Sequence, residues 1–227
     1  MPPARLRADL PLPMLFVLYL VPMVLSGAVH EFSHAWVAHK LGDDTPERQG
    51  RLTLSPLVHI DFFGTLLVPA LSILTSGVAF LGWARPVQFV PTNFTRKVSM
   101  RTGTALVAVA GPLSNVALAF VSVMSLALLL RFAPDADRRV QALRYLAQAM
   151  FQVNVGLAVF NLLPVPPLDG SRLLPRSMDE LVERAGQYSW ILIMLIISIG
   201  PVRAVLLDAP MRLLTQALQA ATTRLVF

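Results

Sequence analysis

The sequence contains no cysteine and little charge. None of its 227 residues is Cys, and only 14% are Asp, Glu, Lys or Arg. Disulfide bonds and thiolate metal ligands are therefore excluded, so a transition-metal site would have to use histidine and carboxylate side chains. Ordinary soluble domains carry about 25% charged residues, and the low charge therefore argues against a soluble protein.

Apolar residues are abundant instead. They make up 55% of the chain, and the mean hydropathy is +0.63. A helix needs about 20 apolar residues to cross a bilayer. Several stretches without charged residues come near that length: 11–29, 62–84, 102–130, 145–168 and 186–202. We therefore predict an all-α polytopic membrane protein with about four to six membrane helices.

The arrangement of the chain predicts one domain. There is no internal repeat and no polar insertion long enough to fold separately, so we expect a single membrane-embedded domain over residues 1–227. The expected location is the cell membrane, as a multi-pass protein, which in a bacterium is the inner membrane. No feature of the sequence indicates an oligomeric state.

The net charge of +6 is spread over the loops. Nucleic-acid binding requires basic residues that cluster on one face or along one helix, and no such cluster is present in the sequence. We therefore expect no nucleic-acid partner. Anionic headgroups of the lipid bilayer are the expected partner of the basic residues.

Ionisable residues interrupt the first apolar stretch. His30, Glu31 and His34 form an HExxH pattern near the end of a helix predicted from Pro11 to about Lys40. A spacing of four places both imidazoles on one helix face, about 6 Å apart along the axis, where they can bind one metal ion. Glu31, between them, can take a proton from an activated water. The alternative is a chance motif of core histidines, but unpaired ionisable groups in lipid cost several kcal/mol.

A third ligand is expected from a distant part of the chain. Catalytic zinc sites use three protein ligands and leave one position open. Asp169 is the best candidate, because it follows a predicted helix over 143–163 that is broken by Pro164, Pro166 and Pro167. Loop backbone at membrane depth is tolerated only around a cavity. His39 and His59 are weaker candidates. The ligand types favour one Zn²⁺ per chain.

Two motifs together resemble those of a known family. HExxH at residues 30–34 and N-x-x-P-x-x-x-x-D-G from Asn161 to Gly170 are the signatures of the site-2 protease family of intramembrane zinc metalloproteases. Further resemblance extends through residues 82–87 and 110–115, so that it covers about residues 20–175. The loops are too short for the peptide-binding PDZ module that many members carry, which predicts a short bacterial-type member.

The resemblance implies an activity and a role for each motif residue. His30, His34 and Asp169 would be zinc ligands and Glu31 the catalytic base. The implied activity is hydrolysis of peptide bonds within or near transmembrane segments, so the implied substrates are membrane proteins with a transmembrane helix. Asn161 is a further catalytic candidate, because its amide could hydrogen-bond an extended substrate or the oxyanion. Its alternative role is that of a helix-packing amide.

The two motifs also constrain the topology. The HExxH lies toward the end of the first helix and Asp169 beyond the end of the 143–163 helix, so both ends must lie at similar depth to share a metal. We therefore predict a broken helix at the active site and a re-entrant or partly β segment around residues 51–94. Asn115 is a candidate to support a ligand, although small-residue packing would explain the same stretch.

Two other functions fit part of the pattern. Buried histidine and acidic groups also occur in metal-ion transporters, and a catalytically silent membrane scaffold could retain the fold. A transport pathway needs ligands at several depths, whereas here they are concentrated in one HExxH and one Asp, and no inverted repeat is present. The intact Glu31 favours the protease over both alternatives.

Overall fold

The structure is a computed structural model that describes residues 11–76, 82–95, 97–134 and 137–226. Within these ranges the chain forms helices and connecting loops, without a β-strand. The prediction of an all-helical fold is therefore confirmed. The partly β alternative for residues 51–94 is not found in the described part of that segment, and residues 77–81 lie outside it.

Helix α1 spans Leu12–Lys40 and passes through Pro22. It begins after Pro11, whose backbone is extended, and ends at Leu41, before Gly42 with φ of 102°. His39 and Lys40 lie in its last turn, where positive charge is favoured by the helix dipole. The helix predicted from Pro11 to about Lys40 is therefore confirmed.

Short elements connect α1 to the next long helix. They are α2 (Thr45–Arg48), α3 (Pro56–His59) and a π-helical turn (Phe62–Leu67) that continues into α4 (Val68–Ser76). Asp61 caps the π-helical turn, because its Oδ1 accepts from the Gly64 N–H at 2.6 Å. The chain then comes back beside this turn, since the Trp83 N–H donates to the Gly64 carbonyl at 3.1 Å. The start and the end of the 62–84 segment therefore lie together.

Two long helices pack against α1. Helix α5 (Met100–Phe132) is capped by the Ser99 hydroxyl, and α6 (Arg138–Asn161) by the Asp137 carboxylate. The three helices contact one another, and buried apolar side chains fill the space between α5 and α6: Ala119, Val123, Phe151 and Val155. This three-helix bundle positions the functional site.

The C-terminal part is more broken. It contains 3-10 turns at Asp169–Leu173 and Arg176–Met178, then α7 (Asp179–Gly186), α8 (Ser189–Ser198), α9 (Gly200–Arg203), a π-helical turn (Ala204–Asp208) and α10 (Ala209–Val226). The uncharged stretch 186–202 does not form one continuous helix. Helix α8 ends at Ser198, because the following Gly200-Pro201 pair interrupts the helical hydrogen bonds.

Two of the described helices are long and apolar enough to cross a membrane, namely α1 from Pro13 and α5. The segment Arg176–Gly186 and α8, bent by 89°, would form a third span if taken together. Helices α1 and α5 expose large apolar side chains such as Val17, Leu113 and Val121. An apolar surface of this kind is suited to lipid rather than to water. The chain is a helical membrane protein.

Candidate metal centre

His30 and His34 lie one turn apart on α1 and face α5. Both side chains are buried, and their rings are 4.6 Å apart between centroids and nearly perpendicular. Their Nε2 atoms are 3.0 Å apart. The spacing of four in a regular helix therefore brings two imidazole nitrogens to one point, as the sequence predicts.

The other nitrogen of each ring is held by α5. His34 Nδ1 lies 2.7 Å from the Val107 carbonyl oxygen, and His30 Nδ1 lies 2.6 Å from Asn115 Oδ1. A carbonyl oxygen only accepts hydrogen bonds, so each Nδ1 must carry the proton. Both Nε2 atoms are then left with lone pairs that point toward the same space.

Asp169 completes the group from the loop beyond α6. Its Oδ2 lies 3.2 Å from His30 Nε2 and 3.3 Å from His34 Nε2. This oxygen is buried and has no hydrogen-bond partner among the described residues. Three lone-pair atoms that face one another without a proton between them repel unless a cation lies among them. Two imidazoles and one carboxylate are a donor set that suits Zn²⁺, so the residues fit the predicted metal.

Two glycines permit this close approach. A Cβ atom at Gly111 on α5 would lie 2.6 Å from His30 Nε2, so only glycine leaves room for the imidazole. A Cβ atom at Gly170 would lie 2.5 Å from the Leu163 carbonyl oxygen. Gly170 therefore lets the loop turn tightly against the end of α6, which brings Asp169 back toward α1.

Glu31 is held by a different part of the chain. The backbone N–H of Val87 donates to Glu31 Oε2 at 2.8 Å. Residues 82–95, which contain Val87, are here called the strap. The strap has little regular structure apart from a 3-10 turn at Pro91–Asn93, so its position depends on contacts with other segments.

Asp43 anchors the strap. This carboxylate is fully buried and accepts from the Val90 N–H at 2.6 Å, from Asn93 Nδ2 at 2.9 Å and from the Thr45 hydroxyl. Burial raises the pKa of Asp43, but the hydrogen bonds from Thr45, Asn93 and the Val90 backbone outweigh it, so the pKa is lowered. The ionised carboxylate therefore ties the strap to the end of α1.

A cavity of about 420 Å³ contains the group. His30, Glu31, His34 and Asp169 line it together with many apolar side chains, including Trp83 and Trp190, whose ring centroids are 5.2 Å apart. Such a mostly apolar cavity with a few convergent polar groups is typical of a binding or catalytic site.

Asn161 also lines the cavity, at the C-terminal end of α6. Its Nδ2 donates to the Leu157 carbonyl at 3.0 Å, so the amide is oriented by its own helix. The structure therefore brings Asn161 to the same cavity as the three candidate ligands and Glu31. Its role as a contact to substrate stays a prediction.

The two weaker histidine candidates lie elsewhere. His39 lies in a separate, largely exposed group with Asp44 and Glu47. His59 is buried and lines the cavity, and its Nε2 lies 2.9 Å from the Thr53 carbonyl oxygen. Neither belongs to the group of His30, His34 and Asp169.

Sequence reasoning missed several residues that support the site. Asn154 and Ser26 extend the contacts of Asn115, and Asp43 anchors the strap. The available signal for Asn154 and Asp43 was a polar side chain in, or next to, an apolar stretch. The Val87 contact has no sequence signal, because a backbone N–H supplies it.

Two histidines, a carboxylate and a neighbouring glutamate are the residue set of a zinc peptidase. The profile described as "Peptidase family M50" matches residues 132–200. The chain is 37% identical over 190 residues to "Putative zinc metalloprotease YwhC" of Bacillus subtilis (strain 168), which covers 81% of this chain and 82% of that protein.

Other relatives carry similar names. "Putative zinc metalloprotease Rip2" of Mycolicibacterium smegmatis is 33% identical over 171 residues, covering 75% of this chain and 61% of that protein. "Putative zinc metalloprotease MJ0611" of Methanocaldococcus jannaschii is 44% identical over 68 residues, 30% of this chain and 31% of that protein. No solved structure gives a significant match.

The chain belongs to peptidase family M50, the site-2 protease family of intramembrane zinc metalloproteases. The resemblance inferred from its two motifs is therefore confirmed, as are the zinc metalloprotease activity and the zinc cofactor. The profile match over 132–200 includes Asn161 and Asp169, whereas the HExxH at residues 30–34 lies outside it.

Proposed function

We propose that His30, His34 and Asp169 bind one Zn²⁺ and that Glu31 is the general base with which this protein hydrolyses peptide bonds. One observation carries the proposal: the two Nε2 atoms and Asp169 Oδ2, all on buried side chains, meet within 3.3 Å of one another in a cavity that Glu31 also lines. When bound, zinc supplies a Lewis acid that polarises the scissile carbonyl and activates water.

Glu31 moves the proton. Its carboxylate takes a proton from the attacking water and passes it to the nitrogen of the leaving amine as the C–N bond breaks. Peptide and water thereby become a carboxylic acid and an amine. The Val87 N–H at Glu31 Oε2 orients the carboxylate for both transfers.

Asn161 contacts the substrate in this proposal. It lines the cavity at the end of α6, and its Nδ2 is held by the Leu157 carbonyl. An amide fixed in this way can hydrogen-bond an extended peptide backbone or the oxyanion without reorganising during the reaction.

The proposed substrates are membrane proteins cut within or near a transmembrane helix. A helical peptide bond is shielded by its own hydrogen bonds, so the substrate must unwind before it can lie extended beside Glu31. The apolar lining of the cavity suits the side chains of an unwound membrane segment.

The proposed topology is a single multi-pass domain over residues 1–227 with four to six membrane helices, located in the inner membrane of a bacterium. A re-entrant segment around residues 51–94 is supported by the Trp83 N–H donating to the Gly64 carbonyl and by the Thr65 hydroxyl donating to the Trp83 carbonyl. A segment whose two ends lie together enters and leaves on one side of the membrane.

The test compares wild type with Glu31→Gln and with Glu183→Gln, a matched change at an exposed carboxylate outside the cavity. The full chain is purified in detergent, bound zinc is quantified, and single-pass membrane substrates are incubated with each protein. Cleavage is followed by mass spectrometry. We expect about one zinc per chain in all three proteins, with cleavage by wild type and Glu183→Gln alone.

Two outcomes would contradict the proposal. Equal cleavage by Glu31→Gln and wild type would show that Glu31 is not the base. Metal binding by all three proteins without cleavage of any substrate in the panel would favour the transporter or the silent scaffold.

A further inference from the structure

A chain of buried amides connects α6 to a candidate ligand on α1. Asn115 Nδ2 on α5 donates to Asn154 Oδ1 on α6 at 2.9 Å, and Asn115 Oδ1 lies 2.6 Å from His30 Nδ1. Asn154 Nδ2 donates to Ser26 Oγ and to the Met150 carbonyl, both at 2.8 Å. Ser26 and His30 lie one turn apart on α1, so the contacts close a ring through three helices.

The direction of hydrogen-bond donation through these buried amides is fixed at one end. The Met150 carbonyl oxygen only accepts, so the Asn154 atom beside it must be the amide nitrogen. Asn154 Oδ1 then faces Asn115 and only accepts, which makes Asn115 Nδ2 the donor. Asn115 Oδ1 is thereby turned toward His30 Nδ1, which must carry the proton. The lone pair of His30 is left on Nε2, the atom that faces Asp169.

Burial stabilises this order of hydrogen-bond donors and acceptors. Ser26, Asn115 and Asn154 are each fully buried. Water therefore has no access to substitute for a lost donor or to satisfy a reversed amide, so a reversed amide would leave buried polar groups without partners.

We infer that Asn154 is a positioning residue that, through Asn115, holds His30 in the tautomer required for metal binding. This inference rests on the proposed zinc site, because it assigns His30 Nε2 to the metal. Asn154 acts through two hydrogen bonds and is not one of the residues that line the cavity. Partners of this kind set the tautomer and the orientation of metal-binding histidines, and their loss lowers metal affinity by about 10- to 100-fold.

The test reads the tautomer directly. The chain has four histidines, so ¹⁵N-histidine labelling of the full chain in detergent gives few ring signals. The protein is stripped of zinc with a chelator and kept near pH 8.5, about two units above the usual histidine pKa. We expect His30 to carry its proton on Nδ1 in wild type and to lose this preference in Asn154→Leu. We also expect zinc affinity, measured by chelator competition, to fall about 10- to 100-fold.

Three further variants separate positioning from packing. Ser122→Ala removes a buried hydroxyl on α5 that donates only to the Leu118 carbonyl, so it should leave both readouts unchanged. Ser26→Ala leaves the Met150 contact in place and should retain the His30 tautomer. Asn154→Ser is the second variant if Asn154→Leu does not fold, because its hydroxyl bonds to its own helix but is too short to reach Asn115.

The possible outcomes decide between the two proposals. If His30 keeps the Nδ1 proton and zinc affinity stays at the wild-type value in Asn154→Leu or Asn154→Ser, the inference is overturned. A loss of thermal stability alone, equal with and without zinc, would assign Asn154 a packing role and also overturn it. A changed tautomer in a protein whose wild type binds no zinc would instead contradict the zinc site of the proposed function.

Discussion

The two sides of the cavity are built differently. The metal side contains the proposed ligands, among them two histidines on α1 that α5 holds through the Val107 carbonyl and Asn115. The base side contains the proposed base, Glu31, held by a backbone N–H of the strap at Val87. Regular helices position the candidate metal ligands of the HExxH, whereas a loop segment orients the carboxylate between them.

This difference indicates that the two sides affect different properties of the protein. The three-helix bundle, with its buried polar side chains Ser26, Asn115 and Asn154, keeps the two histidine Nε2 atoms at a fixed distance from each other. Metal binding requires ligand atoms that are held in this way. The strap is held by contacts that include those of Asp43 and Thr65, and changing either residue removes none of the contacts that the histidines make with α5. We therefore expect changes in the bundle to alter zinc affinity and changes in the strap to alter turnover.

The largest effect should come from Gly111→Ala. The new Cβ would lie 2.6 Å from His30 Nε2, and the helix backbone at this point gives little freedom to retreat. We expect the imidazole to be displaced from Asp169, with zinc affinity reduced by roughly 100-fold or more and cleavage lost. Zinc affinity by chelator competition and cleavage of a membrane substrate measure the two effects.

Gly156→Ala on α6 is the matched control for this prediction. A Cβ there meets no atom of the described residues within 4 Å, so the same change should leave zinc affinity unaltered. It should also stabilise the helix slightly, by up to about 1 kcal/mol. Wild-type zinc affinity in Gly111→Ala would show that α5 does not confine the histidines.

The metal side was also the more predictable side. His30 and His34 come together because of helical periodicity, which is a local property of the sequence, and α1 and α5 follow from long apolar runs. Asp169 was accessible because prolines break a predicted helix just before it. Asn115 was a candidate because it is an amide inside an apolar helix. The same feature marks Asn154.

The strap was less predictable for a physical reason. Its contact with Glu31 comes from the Val87 backbone, and every non-proline residue has such an N–H, so the side-chain sequence does not mark it. Asp43 lies in a charged stretch typical of an exposed loop, but in the structure it is buried and accepts hydrogen bonds from Val90, Asn93 and Thr45. The break after α8 lies inside the uncharged stretch 186–202, where the Gly200-Pro201 pair is its only sequence signal.

Asp43→Asn should separate turnover from metal binding. The asparagine has one acceptor oxygen instead of two, so it leaves either the Val90 N–H or the Asn93 and Thr45 donors unsatisfied and loosens the strap. We expect kcat to fall about 10-fold, less than the roughly 10²- to 10⁴-fold that a positioned acid–base group contributes, because Glu31 is kept but held less firmly. Zinc content should stay at the wild-type value. Asp44→Asn, at a neighbouring half-buried carboxylate, is the control and should retain wild-type kcat.

The pH dependence of stability gives a second readout for Asp43. Its folded-state pKa is lowered below the unfolded value of about 3.9. The stabilisation is therefore present at neutral pH and is lost as the pH falls below about 4 through the folded-state pKa. The difference in thermal stability between zinc-free wild type and zinc-free Asp43→Asn should be largest near pH 7 and narrow in acid. A constant difference would contradict ionisation of Asp43 as its cause.

The smallest effect is expected from Thr65→Val, because Thr65 contacts the strap at Trp83, near the end opposite to the Asp43 contacts. The Thr65 hydroxyl donates to the Trp83 carbonyl at 2.8 Å and accepts from the Asp61 N–H at 3.0 Å. Valine keeps the shape but removes both bonds, which should cost about 1–3 kcal/mol of stability. Because Trp83 lines the cavity some distance along the strap from Val87, we expect KM to rise a few-fold with kcat nearly unchanged. Thr104→Val, which loses only a bond within α5, should leave KM unchanged. A fall in kcat like that of Asp43→Asn would show that the strap moves as one rigid piece.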